Sequence, residues 1–131
     1  MEDHKMDGSV AALLELIGKL RGEGGCPWDM RQTPESMKKY LLEECHELVH
    51  AIDSGDVAAV REESGDVLFI LVFLIRLFEE QGLFDLQAVC AEAHAKMVRR
   101  HPHVFAGVVA GTEEELHQQW QAIKAAEKQA R

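Results

Sequence analysis

LLEECHELVHAI, residues Leu41 to Ile52, and its downstream partner REESGDVLF, residues Arg61 to Phe69, decide the fold of this chain. The first stretch holds Glu43, Glu44 and Glu47, and the second holds Glu63 and Asp66. Both read as helix, so carboxylates three residues apart stack on one helical face. On a wheel of about 100° per residue, Leu41, Leu42, Cys45, Leu48, Val49 and Ile52 form one apolar arc. Glu44 sits at the edge of that arc with Glu47 beside it, while His46 and His50 fall on the opposite, wetter flank. In the second helix, Glu63 and Asp66 begin a stripe that continues through Ile70, Phe73 and Leu77, and no Lys or Arg shares it.

Inward-facing carboxylates are costly unless something positive compensates them. A divalent cation resolves the conflict. An oxygen-only donor set suits Mg²⁺, with Mn²⁺ as a substitute, better than Zn²⁺. One acidic pair on a helix is ordinarily solvated surface. Two pairs facing across a short helical hairpin, one of them on a stripe that runs into a core, favour a site instead.

Outward from this hairpin, the chain reads as an all-α bundle of about four to five helices. Ser9 caps a first amphipathic helix from Val10 to Leu20, with Leu13, Leu16, Ile17 and Leu20 on one side. RGEGGCPWDMRQTPES is a Gly- and Pro-rich loop. Thr33 and Pro34 start the second helix, which runs to about Ile52 and stops at Gly55. The third is expected from about Asp56 to Gln81, with Asp56 as cap and Gly82 as terminator. A fourth spans Asp85 to about Arg100 and ends before Pro102. The segment HVFAGVV suggests a short extended stretch. Thr112 with Glu115 makes a capping box for a last helix from Glu113 to about Lys128.

Length and composition bound the rest. At 131 residues and 47% hydrophobic, the chain fits one domain over residues 9–131, with a disordered N-terminus at residues 1–8. A net charge of -9 argues against nucleic-acid binding by bulk charge. Cys26, Cys45 and Cys90 are odd in number and widely spaced, which predicts reduced thiols and a cytoplasmic setting. The start MEDHKMDGSV has no apolar core of a signal peptide. The longest apolar run, Val67 to Ile75, is too short to span a membrane.

Two other chemistries compete for the same residues. HELVH, residues 46–50, matches the zinc-peptidase pattern H-E-x-x-H, with Glu63 or Asp66 as a third ligand. Against it, the wheel turns both histidines away from the apolar arc, and no strand stands beside the site to hold a peptide. Glu43 with His46 and Glu47 with His50 each read Glu-x-x-His, but a di-iron bundle needs those motifs on different helices. A helical interaction module whose acidic face is incidental is the non-enzymatic reading.

The combination of CPWD, QT, LLEECHE, ESGD and RRHPHVF resembles the MazG-type nucleoside triphosphate pyrophosphohydrolases, over roughly Leu13 to Lys128. The family pattern E-E-x-x-E followed by E-x-x-D is met by Glu43, Glu44 and Glu47 and by Glu63 and Asp66. The resemblance implies an all-α fold, an oligomer, and hydrolysis of NTP to NMP and pyrophosphate with magnesium. It implies Glu44, Glu47, Glu63 and Asp66 as metal ligands. Glu43, not needed as a ligand, or one of those four, then orients or deprotonates the attacking water, with support of the ligands as the other role open to Glu43. The resemblance implies phosphate contacts at Lys96 and Arg100, joined by Arg99, and a C-terminal W-x-x-x-K contact at Trp120 and Lys124. Those basic residues also close a helix C-terminus, where positive charge is favoured anyway. Trp28 either stacks on a base or anchors its loop in the core. Helix three is apolar nearly all round from Val67 to Phe78, so part of it is expected to pack on a second copy, with the nucleotide pocket near or across that interface.

Overall fold

The structure, a computed structural model, describes residues 8–131. The N-terminus expected to be disordered lies outside the described residues up to position 7. Seven helices follow in order: α1 (Val10–Arg21), α2 (Pro27–Met30), α3 (Pro34–Ser54), α4 (Val57–Glu80), α5 (Leu86–Arg100), α6 (Pro102–Phe105) and α7 (Glu113–Gln129). No strand occurs among the described residues, so the fold is all-α. No helix there is long and apolar enough to cross a membrane. The chain forms two compact units, Met1–Leu86 and Gln87–Arg131.

In the first unit α3 and α4 make an antiparallel hairpin, and α1 packs against α4. The hairpin turn is set locally. Gly55 takes a left-handed φ of 74°, which a Cβ would disfavour, and Asp56 accepts from the Ala58 and Ala59 amides to start α4. At the other end of α3, Thr33 Oγ1 accepts from Ser36 N and Ser36 Oγ accepts from Thr33 N, a complete capping box. The core is Ile17, Met37, Val72, Phe73 and Leu77, with Leu13, Leu14, Tyr40, Phe69 and Ile70 packed around it. Phe73 and Ile17 are fully buried.

Three sequence expectations change. The apolar arc of α3 is split: Leu42, Val49 and Ile52 are more than half exposed, while the seam toward α4 runs Met37, Leu41, Glu44, Leu48 and Ala51. The arc is wider than one neighbouring helix can cover, so half of it has no partner in a single copy. The loop before α3 contains the one-turn helix α2, whose Pro27 stands at its first position. HVFAGVV is not extended at its start: Pro102–Phe105 is the helical turn α6.

In the second unit α7 starts at Thr112, whose Oγ1 accepts from Glu115 N. The Glu115 carboxylate receives the Thr112 hydroxyl, so the capping box is half made. The half-buried residues of α7 are Leu116, Gln119, Trp120, Ile123 and Glu127. Leu116, Trp120, Ile123 and Glu127 form one stripe at helical spacing.

Candidate metal and nucleotide site

Glu44, Glu63 and Asp66 each present a carboxylate oxygen, and the three oxygens lie within 4.8 Å of one another. Helix geometry explains the meeting. Glu44 occupies the α3 seam position between Leu41 and Leu48, and Glu63 and Asp66 lie one turn apart on the facing side of α4. Glu44 and Glu63 are half-buried and Asp66 is exposed.

The electrostatics are those of crowded negative charge. Partial burial raises the Glu44 carboxyl above its ordinary value, and the charges of Asp66, Glu47 and Glu43 add to the rise. Glu63 is raised by desolvation first, then by the Asp66 charge and a hydrogen bond shared with Asp66, with Glu47 and Glu44 contributing. Crowding and partial burial thus disfavour the charged forms of Glu44 and Glu63. The donor set is oxygen only, which fits a hard divalent cation. Glu47 and Glu43 are exposed on α3 and act on the cluster through their charge. His46 and His50 are both exposed, and neither joins the cluster.

Trp28, carried by α2, is 41% exposed, so it is not a buried anchor. Its ring meets Tyr40 edge-on, with centroids 5.4 Å apart. Tyr40 lies one turn before Glu44 on α3. The loop is held by Arg21, whose Nη1 donates to the carbonyls of Asp29 and Gln32 while Nε and Nη2 pair with Glu80. Gly25 permits the tight entry: a Cβ there would stand 2.3 Å from the Leu20 carbonyl oxygen.

The basic residues lie in the second unit, on two clefts. Lys96 and Arg99 line one of about 620 Å³, together with Ile123 and Glu127. Arg100 and Trp120 line another of about 390 Å³, with His101, His103 and His117. Neither cleft has Lys124 in its lining. Sequence reasoning passed over Glu127, which binds both arginines. Its signal was available, since it stands two turns after Trp120 on the same stripe.

A helical hairpin that gathers carboxylates from two facing helices, with no Lys or Arg on the Glu63–Asp66 stripe, defines an all-α acidic-site protein. The chain belongs to the MazG nucleotide pyrophosphohydrolase domain family, whose model matches residues 32–105. It is 45% identical over 116 residues to the nucleoside triphosphate pyrophosphohydrolase/pyrophosphatase MazG of Thermotoga maritima, covering 88% of this chain and 44% of that protein. It is 42% identical over 120 residues to the nucleoside triphosphate pyrophosphohydrolase of Escherichia coli, covering 91% and 46%. The chain thus spans less than half the length of these relatives. The crystal structure of a mazG-related protein from Thermotoga maritima matches with a TM-score of 0.72 at 26% identity, over 88% of this chain and 98% of that one.

Proposed function

We propose that this chain hydrolyses nucleoside triphosphates to the monophosphate and pyrophosphate, with Mg²⁺ as cofactor and Mn²⁺ as a substitute. The observation that carries the reading is the meeting of Glu44, Glu63 and Asp66 within 4.8 Å. The family and the names of its relatives support it. Glu44, Glu47, Glu63 and Asp66 are the ligand set. A divalent cation bound there supplies Lewis acidity at the α-phosphate and lowers the pKa of water.

The chain's own groups do the rest. Glu43 orients the attacking water or accepts its proton. The water oxygen bonds to the α-phosphorus, the α–β anhydride bond breaks, and pyrophosphate leaves. Lys96, Arg99 and Arg100 neutralise the phosphates. Trp120 and Lys124 add the C-terminal contact, and the exposed face of Trp28 stacks on the base. Residues 9–131 act as one functional domain. A role in cleaning the nucleotide pool, in the cytoplasm and without nucleic-acid binding, fits the free thiols of Cys26, Cys45 and Cys90 and the net charge of -9.

The working unit in this reading is at least a homodimer. Its support is the exposed apolar stripe of α3, Leu42, Val49 and Ile52, together with the exposed Leu68 and Leu71 of α4. Such a patch is unusual on a monomer. A monomer mass by light scattering at micromolar concentration, with activity intact, would refute the dimer. The function itself is tested by incubating the purified chain with Mg²⁺ and mixed NTPs. Pyrophosphate and NMP should appear together, and no turnover with any nucleotide would favour a helical interaction module.

A further inference from the structure

In the second unit one carboxylate is shared by two successive arginines. Glu127 Oε2 accepts from Arg99 Nε at 2.5 Å, and Glu127 Oε1 accepts from Arg100 Nη2 at 2.8 Å and Nε at 3.1 Å. The Arg100 guanidinium also lies over the Trp120 ring, 5.1 Å from its centroid. Arg100 and Glu127 are only 14% and 17% exposed, whereas Arg99 is 51% exposed.

A surface ion pair contributes little, because long side chains lose entropy when fixed. This one differs. Three charge-assisted bonds converge on a largely covered carboxylate, and the planar fork of Arg100 is fixed further by an indole face. Successive helical residues point about 100° apart, so Arg99 and Arg100 would diverge without a common acceptor. Glu127 holds them from α7, while Arg99 lines the cleft of Lys96 and Arg100 lines the cleft of Trp120. Two of the five N–H donors that any arginine carries are engaged at Arg100. Two guanidiniums against one carboxylate leave net positive charge, so a phosphate can add to the cluster without displacing Glu127.

We propose that Glu127 is a positioning residue: it locks Arg100 against Trp120, aims Arg99 into the neighbouring cleft, and so presets the cations that receive phosphate. The proposal rests on the reading of Arg99 and Arg100 as phosphate ligands. Preset donors avoid the ordering entropy that free arginines lose on binding. The hydrogen bonds from Arg100, and then those from Arg99, hold the Glu127 carboxyl below the ordinary glutamate value, so it stays ionised at neutral pH.

The test uses the full chain with Glu127→Gln, which is isosteric, and Glu127→Leu, which removes both acceptor oxygens. With Mg²⁺ and NTP, KM should rise about five-fold or more while kcat stays within about two-fold. A second readout needs no activity. In a Trp28→Phe background, excited at wavelengths that tyrosine does not absorb, only Trp120 emits, and both Glu127 variants should make it more accessible to acrylamide quenching. Unchanged KM and quenching in both variants would overturn the proposal. So would a fall in KM, which would make Glu127 a competitor of phosphate, or a joint fall of kcat and melting temperature with quenching unchanged, which would make it structural only. If the wild-type chain turns over no nucleotide, the catalytic reading fails by itself, and the quenching comparison still decides whether Glu127 holds Arg100 on Trp120.

Discussion

Helix α4 carries carboxylates near both ends, and the two ends treat them in opposite ways. Near its start, Glu63 and Asp66 meet Glu44 with no Lys or Arg on the stripe, and the Glu44 and Glu63 carboxyls are pushed up. At its end, Glu80 receives Arg21 Nε and Nη2 at 2.9 and 2.8 Å, with Arg76 at 3.4 Å. Arg21 hydrogen bonding is the largest cause that holds the Glu80 carboxyl below its ordinary value. The two groups stand about 25 Å apart along one helix. The difference separates scaffold from site. A carboxylate with a built-in cation is already satisfied and tethers a loop, while a cluster of them without one could take a cation from outside the chain.

The largest effect should come from the uncompensated end. Glu44→Gln, Glu47→Gln and Asp66→Asn should each reduce pyrophosphate release by about 10²-fold or more, with helical circular dichroism retained. Removing one of several repelling carboxylates should leave the metal-free melting temperature unchanged or raise it. The rise in melting temperature on adding Mg²⁺ or Mn²⁺ should disappear with the activity. Variants that unfold instead would place these residues in the scaffold and erase the contrast.

The compensated end should respond in the reverse sense. Arg21 is 12% exposed and joins α1 to the α2 loop and to Glu80. Arg21→Ala removes the donor shared by the Asp29 and Gln32 carbonyls and leaves Glu80 with only the longer bond from Arg76, a loss of about 2–3 kcal/mol. Urea denaturation should show that loss, while kcat per folded molecule changes far less than in the Glu44 variant.

Acid sharpens the comparison because the signs differ. Glu44 and Glu63 have raised values, so the stability they contribute is full below the unfolded value of 4.5 and is lost as pH rises through their folded values. Glu80 is lowered, so its contribution is present above 4.5 and is lost as pH falls through its folded value. The metal-free chain should therefore gain stability on mild acidification toward 4.5 and lose it below. Glu44→Gln should flatten the gain, and saturating Mg²⁺ at neutral pH should replace it. A monotonic decline from neutral pH would contradict the raised values.

Much of this was legible because it is local. Thr33–Pro34, Gly55, Asp56 and Thr112 are stop and start signals that act within a turn, and the structure uses each of them. The helical period also put Glu63, Ile70, Phe73 and Leu77 on one stripe. What the period does not carry is the neighbour. It gave α3 an apolar arc but not which half α4 would cover, so Leu42, Val49 and Ile52 share that arc with Leu41 and Leu48 and yet stand exposed. One-turn helices are too short to show a period, and α2 and α6 were read as loop although each begins with proline. Arg21 to Glu80 and Arg100 to Glu127 are contacts between helices distant in sequence, and a lone charge on a wheel does not name its partner.

The smallest expected effect is the most discriminating between chemistries. HELVH puts His46 and His50 one turn apart on one face of α3, as a zinc site requires. That face is the exposed one, and the acidic cluster lies on the seam instead. A peptidase zinc would need both imidazoles walled in and oriented by second partners, and no hydrogen bond orients either ring among the described contacts. Neither histidine is buried, so their removal leaves no cavity and no orphaned partner. His46→Ala with His50→Ala should accordingly keep NTP turnover within a few-fold, with melting temperature nearly unchanged. The purified wild-type chain should contain no stoichiometric zinc by elemental analysis. Loss of activity in the double variant with bound zinc in the wild type would move the site from the seam of the hairpin to its outer face.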